Sequence, residues 1–205
     1  MRPIQSLKYC WQVAHYGYYA NNIHLCRAIN LTLVLLCFSF TVFSQKLYTD
    51  KGQVFDFKSL KQNKASIIVF FDPECPICQK YTKNLTEMEK KYNKEGIELY
   101  VIYPFKVLEA KSLSEFREEY KFDLPIIYDP NRKLLKKLKA NYSPEVFLLD
   151  NKRKTLYHGA IDNWFYGLGR NRAVPTEFYL LDAINAFKNN QTVKVKYVEP
   201  VGCML

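Results

Sequence analysis

Residues Ser66 to Tyr81, SIIVFFDPECPICQKY, constrain the fold more than any other stretch of the chain. Ser66 to Phe71 is a compact run of apolar and β-branched residues, enough for one buried strand in the middle of a sheet. Asp72-Pro73 ends it, because proline lacks the amide that a sheet ladder needs. Cys75-Pro76-Ile77-Cys78 follows at the opening of a helix. Unpaired amides and the positive end of the helix dipole favour a thiolate at Cys75, and the thiolate is the reactive form of cysteine. Cys78 falls one turn on, within reach of a disulfide. Strand, CxxC, helix points to dithiol redox chemistry, with a permanent structural bridge and half of a metal site as the competing readings.

The cysteine count depends on what precedes the domain. Residues 28–44 read AINLTLVLLCFSFTVFS, with Arg27 before them and Gln45-Lys46 after. A base, an apolar run and a small residue at Ser44 predict a secretory signal with cleavage after Ser44. The run falls short of the about 20 residues that a membrane span needs, so an uncleaved anchor is the second reading. On this division residues 1–44 are a signal peptide or N-terminal anchor and residues 45–205 one domain. Cys10, Cys26 and Cys37 leave with the signal, and Cys75, Cys78 and Cys203 remain. Three cysteines cannot build a multi-bridge scaffold, and in an oxidising compartment an isolated CxxC reads as redox-active. The net charge is +10, of which residues 1–44 hold three bases and no acid. Lysines scattered along amphipathic segments predict a solvated basic surface, not a nucleic-acid site.

The rest of the domain alternates strands and helices. Gln53 to Phe57 predicts a short strand. Ile77, Tyr81, Leu85, Met88 and Tyr92 form the apolar stripe of the helix behind the CxxC, and Gly96 stops it. Glu98 to Tyr103 is a second buried strand, so the pair is parallel in a right-handed βαβ unit. Ser112-x-x-Glu115 matches a capping box, Pro125 to Tyr128 a strand, and Asp129-Pro130 an N-cap with proline at the first helical position. Pro144 stands at the head of an apolar strand ending at Asp150, with Thr155 to Ala160 as its hairpin partner. Residues 162–174 predict a loop. A last helix runs from Pro175 to about Phe187, and Val193 to Val198 predicts an edge strand. The sequence closes Val201-Gly202-Cys203-Met204-Leu205.

This order of elements resembles the thioredoxin superfamily over about residues 50–190, on the side of the exported redoxins (the alkyl-hydroperoxide-reductase and TlpA-like group). The resemblance implies an α/β three-layer fold, a central mixed β-sheet flanked by helices. It implies that Pro144 is cis and lies against the CxxC, leaving the backbone of Ser143 open to a substrate strand. It implies a Cys75–Cys78 redox disulfide and no organic cofactor, with Cys75 attacking and Cys78 resolving. Tyr157-His158-Gly159-Ala160-Ile161-Asp162 and Gly202-Cys203 resemble a Tyr-x-Gly-x-Ile-Asp segment and a Gly-Cys tail in redoxin-like proteins. Two departures stand out. Glu74 replaces the tryptophan of thioredoxins, and Asp72 replaces the threonine that peroxiredoxins carry three residues before the reactive cysteine.

The expected activity is thiol-disulfide exchange with protein thiols or disulfides, fed by an upstream reductant or oxidant. The expected location is periplasmic, or tethered through residues 28–44 and facing outward. Cys203 is an extra thiol: a resolving cysteine, a partner for another protein, a metal ligand with Met204, or a free tail cysteine. A copper-binding protein using Cys75, Cys78 and His158 is the reading from a different class, since sulfur and imidazole suit copper. A thiol peroxidase is the third. Asp162 with Trp164, and Arg170 with Arg172, fall in a loop expected to be solvated.

Overall fold

The computed structural model describes residues 46–106 and 108–205, so the signal or anchor expected at residues 28–44 lies outside the described residues. Among the described residues twelve strands and four α-helices follow in chain order. Strand β1 is Leu47–Thr49, β2 Val54–Phe55, β3 Ala65–Phe70 and β4 Ile97–Tyr103, with helix α1, Pro76–Tyr92, between the last two. Helix α2, Ala110–Tyr120, leads to β5, Ile126–Tyr128, and α3, Lys133–Leu138, to β6, Tyr142–Ser143. Then come β7, Glu145–Asp150, β8, Thr155–Gly159, β9, Phe165–Gly167, and β10, Arg170–Asn171. Helix α4, Tyr179–Lys188, precedes β11, Tyr197–Val198, and β12, Cys203–Met204.

Eight strands form one sheet in the order β11-β8-β7-β3-β4-β5-β1-β2. The β3–β4 and β4–β5 pairs are parallel and the β3–β7 and β7–β8 pairs antiparallel, the mixed sheet expected. All six residues of β3 are buried, because it is central and covered on both faces. Its alternation sorts two cores. Ile67 and Val69 pack with Ile77, Tyr81 and Leu85 of α1 and Leu180 and Ile184 of α4. Ile68 and Phe70 pack on the other face with Leu60, Phe147 and Leu134 of α3. The three layers are therefore helices, sheet, helices.

Several boundaries move. Helix α2 begins at Ala110 after Glu109, so Ser112 lies within its first turn and the expected capping box is not the cap. Arg132, in the left-handed region, precedes α3. Asp129 still caps that helix from further back, accepting the amides of Lys133, Leu134 and Leu135. The last helix begins at Tyr179, not Pro175, since Asn163 Oδ1 accepts the amides of Thr176 and Glu177 and holds that stretch as a turn. The expected edge strand shrinks to Tyr197–Val198, parallel to β8. Part of the expected loop is the β9–β10 hairpin. Among the described residues no helix is long and apolar enough to cross a membrane.

Candidate functional site: the CxxC and the strand beside it

Cys75 is the N-cap of α1, and Pro76 is its first helical residue, where a missing amide costs nothing. The Cys75 amide donates to the Asp72 carbonyl at 3.0 Å and its carbonyl accepts the Gln79 amide at 3.1 Å, so the turn presents the side chain at the helix mouth. One turn on, Cys78 is fully buried. Burial pushes its thiol up to about 12, against the lowering effect of the Asp72 amide and Ser143. Both contacts are 3.5 Å, from the Asp72 amide to Cys78 Sγ and from Cys78 Sγ to Ser143 Oγ. The Asp72 carboxyl is itself raised, first by burial, although it accepts the Glu74 amide. Glu74 is exposed.

The Ser143–Pro144 bond is cis, as the resemblance implied. Ser143 is buried and its carbonyl oxygen lies 3.2 Å from Cys75 Sγ. Sequence reasoning did not single out Glu145, the next residue, which is also buried. Its Oε2 accepts the amides of Asn141 and Tyr142, at 2.8 and 3.2 Å, and so holds β6 in place. A charged residue inside an apolar strand is the signal that could have found it.

The thiols are linked in this structure otherwise than in the Cys75–Cys78 disulfide that the resemblance implies. Cys75 is bonded to Cys203, with their Cα atoms 6.2 Å apart, and Cys78 is a free thiol. The backbone of Ser143 is accordingly not open. Strand β12 lies antiparallel to β6, Cys203 opposite Ser143 and Met204 opposite Tyr142. The reason is the path of the chain. Strand β11 docks beside β8, and the residues after it cross to the docking edge at Ser143. Gly202 permits the approach: a Cβ there would sit 2.4 Å from the Ser143 oxygen.

The copper set is not brought together. His158 stacks on Phe147, ring centroids 5.3 Å apart, and Phe147 belongs to the core on one face of the sheet. Cys75 and Cys78 belong to the core on the other. Its Nδ1 lies 3.5 Å from Glu145 Oε1. Among the described residues no group of three or more His, Cys, Asp or Glu could hold a metal ion. Asp162, expected in a solvated loop, is buried instead. It accepts the Tyr81 hydroxyl at 2.5 Å and the Trp164 amide at 2.8 Å, and burial raises its carboxyl. Arg170 and Arg172 are exposed, and Arg172 donates to the Asn163 carbonyl.

Once the Cys75–Cys203 bond is reduced, Cys75 at the helix mouth can attack a disulfide and Cys78 can resolve it, the cysteines themselves carrying the electrons, so the exchange needs no organic cofactor. Comparison with known proteins agrees with the geometry. The family model described as AhpC/TSA family matches residues 39–158, more than half of the chain. No curated protein is significantly similar in sequence. An uncharacterized conserved protein from Geobacillus kaustophilus has the same fold, with a TM-score of 0.67, 20% identity and coverage of 78% of this chain and 88% of that one. A hypothetical protein from Sinorhizobium meliloti matches with a TM-score of 0.65 at 22% identity and the same coverage. A thioredoxin candidate from Neisseria meningitidis matches at 0.54 and 16% identity, over 71% of this chain and 88% of that one. At these identities the three likenesses show the fold.

Proposed function

The chain belongs to the AhpC/TSA family, and from that premise we propose that it is an exported thiol-disulfide oxidoreductase exchanging disulfides with protein substrates. The observation that carries this reading is the placement of Cys75 at the mouth of α1, 3.2 Å from the Ser143 carbonyl, with Cys78 one turn behind. The Cys75 thiolate attacks a client disulfide, forming a mixed disulfide and releasing the client's other thiolate. Cys78, deprotonated, then attacks Cys75 Sγ, and the client leaves reduced while the Cys75–Cys78 pair is oxidised. An upstream dithiol of another protein returns the pair to its reduced state. The reverse sequence oxidises a client.

Export is supported by Arg27 followed by the apolar run 28–44 and by the small residue Ser44. The product is then periplasmic, or anchored with its domain facing outward. Asp72 in place of the peroxidase threonine favours disulfides over peroxides as the substrate. The test is reduction of a small aromatic disulfide with a dithiol as electron donor. Activity present in the wild type and absent in Cys75→Ser supports the reading. Activity that survives Cys75→Ser, or rapid peroxide consumption in place of disulfide reduction, overturns it.

A further inference from the structure

Strand β12 takes the place that a client would take. Three observations say so. It pairs antiparallel with Tyr142–Ser143, the short strand beside the CxxC, so the docking edge is already used. Its cysteine is bonded to Cys75, the thiol that a client would engage. The fit is specific at Gly202, whose absent Cβ is what lets the segment lie against the Ser143 carbonyl. The remaining contacts continue the same course: Pro200 is buried, Val201 is partly buried against the CxxC core, and the Leu205 amide donates to the Asn141 carbonyl at 3.0 Å.

We propose that residues Val201–Met204 are a resident client: Cys203 is a third redox thiol, and its strand shows that the site takes extended segments with glycine just before the reactive cysteine. The proposal rests on the reading of Cys75 as the attacking thiol of a disulfide exchanger. The Cys75–Cys203 bond is the intramolecular counterpart of the mixed disulfide. Cys78, after losing its proton to solvent, attacks Cys75 Sγ. The Cys75–Cys203 bond breaks, a Cys75–Cys78 bond forms, and Cys203 leaves as a thiolate that takes up a proton. No electron is gained or lost, so the oxidised protein partitions between a closed form, with the strand seated, and an open one. A tethered segment acts at an effective concentration on the order of millimolar, so micromolar clients reach Cys75 chiefly in the open form.

The test uses the purified protein, equilibrated in a dithiothreitol redox buffer, quenched in acid, alkylated and mapped by mass. The wild type is expected to hold a Cys75–Cys203 link, and Gly202→Val to hold Cys75–Cys78 in its place. Absence of the link in the wild type, or its persistence in Gly202→Val, overturns the proposal. A second measurement uses Cys203→Ser, in which no tethered thiol competes. Oxidised Val-Gly-Cys-Met peptide is expected to exchange about tenfold faster than Val-Val-Cys-Met, the order of effect of forcing extra methyl groups into a filled site. Equal rates overturn the glycine requirement. The two readings fail separately: exchange that survives Cys75→Ser removes the proposed function, whereas exchange that depends on Cys75 with no Cys203 link removes only this inference.

Discussion

Gly159 passes so close to Val198 that a Cβ on the glycine would lie 1.9 Å from the Val198 carbonyl oxygen. The glycine has a φ of 119°, a region that other residues rarely adopt. The contact lets β11 lie beside β8, with the His158 amide donating to the Lys196 carbonyl and the Ala160 amide to the Val198 carbonyl. Strand β11 in turn aims the following residues at Ser143. Gly159→Val therefore undocks β11 and with it the Cys203 strand. Mass mapping of the oxidised protein should show the Cys75–Cys203 link giving way to Cys75–Cys78. Urea unfolding should show a loss of about 1–3 kcal/mol, as overpacking usually costs. A variant with the wild-type link and midpoint would mean that β11 does not guide the strand.

Cys78 makes resolution pH-dependent. Its thiol is raised to about 12 by burial, so at neutral pH it is protonated, and its thiolate fraction grows with pH throughout the working range. Resolution of a Cys75 mixed disulfide should accelerate about tenfold per pH unit between pH 7 and 10, as the thiolate fraction does. Ser143 opposes the rise in the Cys78 pKa, so Ser143→Ala should slow resolution at a given pH by about fivefold, the worth of one hydrogen bond. Stopped-flow measurement of thiol release reads both. A rate that levels off by about pH 10 would show that Cys78 titrates as an ordinary thiol.

Much of this was legible because local chemistry and fold agree. The run Ser66 to Phe71 reads as β3 since β-branched and aromatic residues fill a strand covered on both faces. The stripe from Ile77 to Tyr92 reads as α1 since its spacing matches one helix face. Pro144, at the head of an apolar strand, reads as the cis proline that the structure has there. What stayed hidden depends on contacts distant in sequence. Gly202-Cys203 meets Ser143 only because β11 turns the chain back, and no periodicity in five residues encodes that. Likewise Asp162 lies in a stretch that reads as polar loop, yet Tyr81, 81 positions earlier, draws it inside. Ligand chemistry alone groups His158 with the cysteines, and the two-residue alternation of a strand places it on the other face of the sheet.

Glu145 holds the docking strand. Its carboxylate is buried and accepts two backbone amides, of Asn141 and Tyr142, immediately before Ser143. Glu145→Ala leaves both amides without this acceptor and should cost about 2–4 kcal/mol in urea unfolding, with slower exchange at Cys75. Glu145→Gln keeps an acceptor oxygen in the same position and should recover most of both. Equal losses in the two variants would assign the effect to the charge rather than to the hydrogen bonds.

Asp162 is a buried carboxyl that its surroundings disfavour as an anion. Burial raises its pKa above 3.8, while the hydrogen bonds from Tyr81 and the Trp164 amide oppose the rise. The sign of the linkage follows. The unfolded chain loses this proton near its ordinary value and the folded chain only at higher pH. The contribution of Asp162 to stability is therefore full below about pH 4 and falls as pH rises through the folded pKa. Asp162→Asn keeps an acceptor oxygen for both donors and removes the titration. Its stability relative to wild type should rise between pH 4 and neutrality and then level, as read by urea midpoints at fixed pH. Tyr81→Phe removes one of the opposing hydrogen bonds, raises the Asp162 pKa further and should cost about 1–3 kcal/mol at neutral pH, the usual loss when a buried charge gives up a donor. A difference between wild type and Asp162→Asn that stays constant with pH would mean that Asp162 does not titrate abnormally, and the Tyr81 bond would then be worth only its geometry.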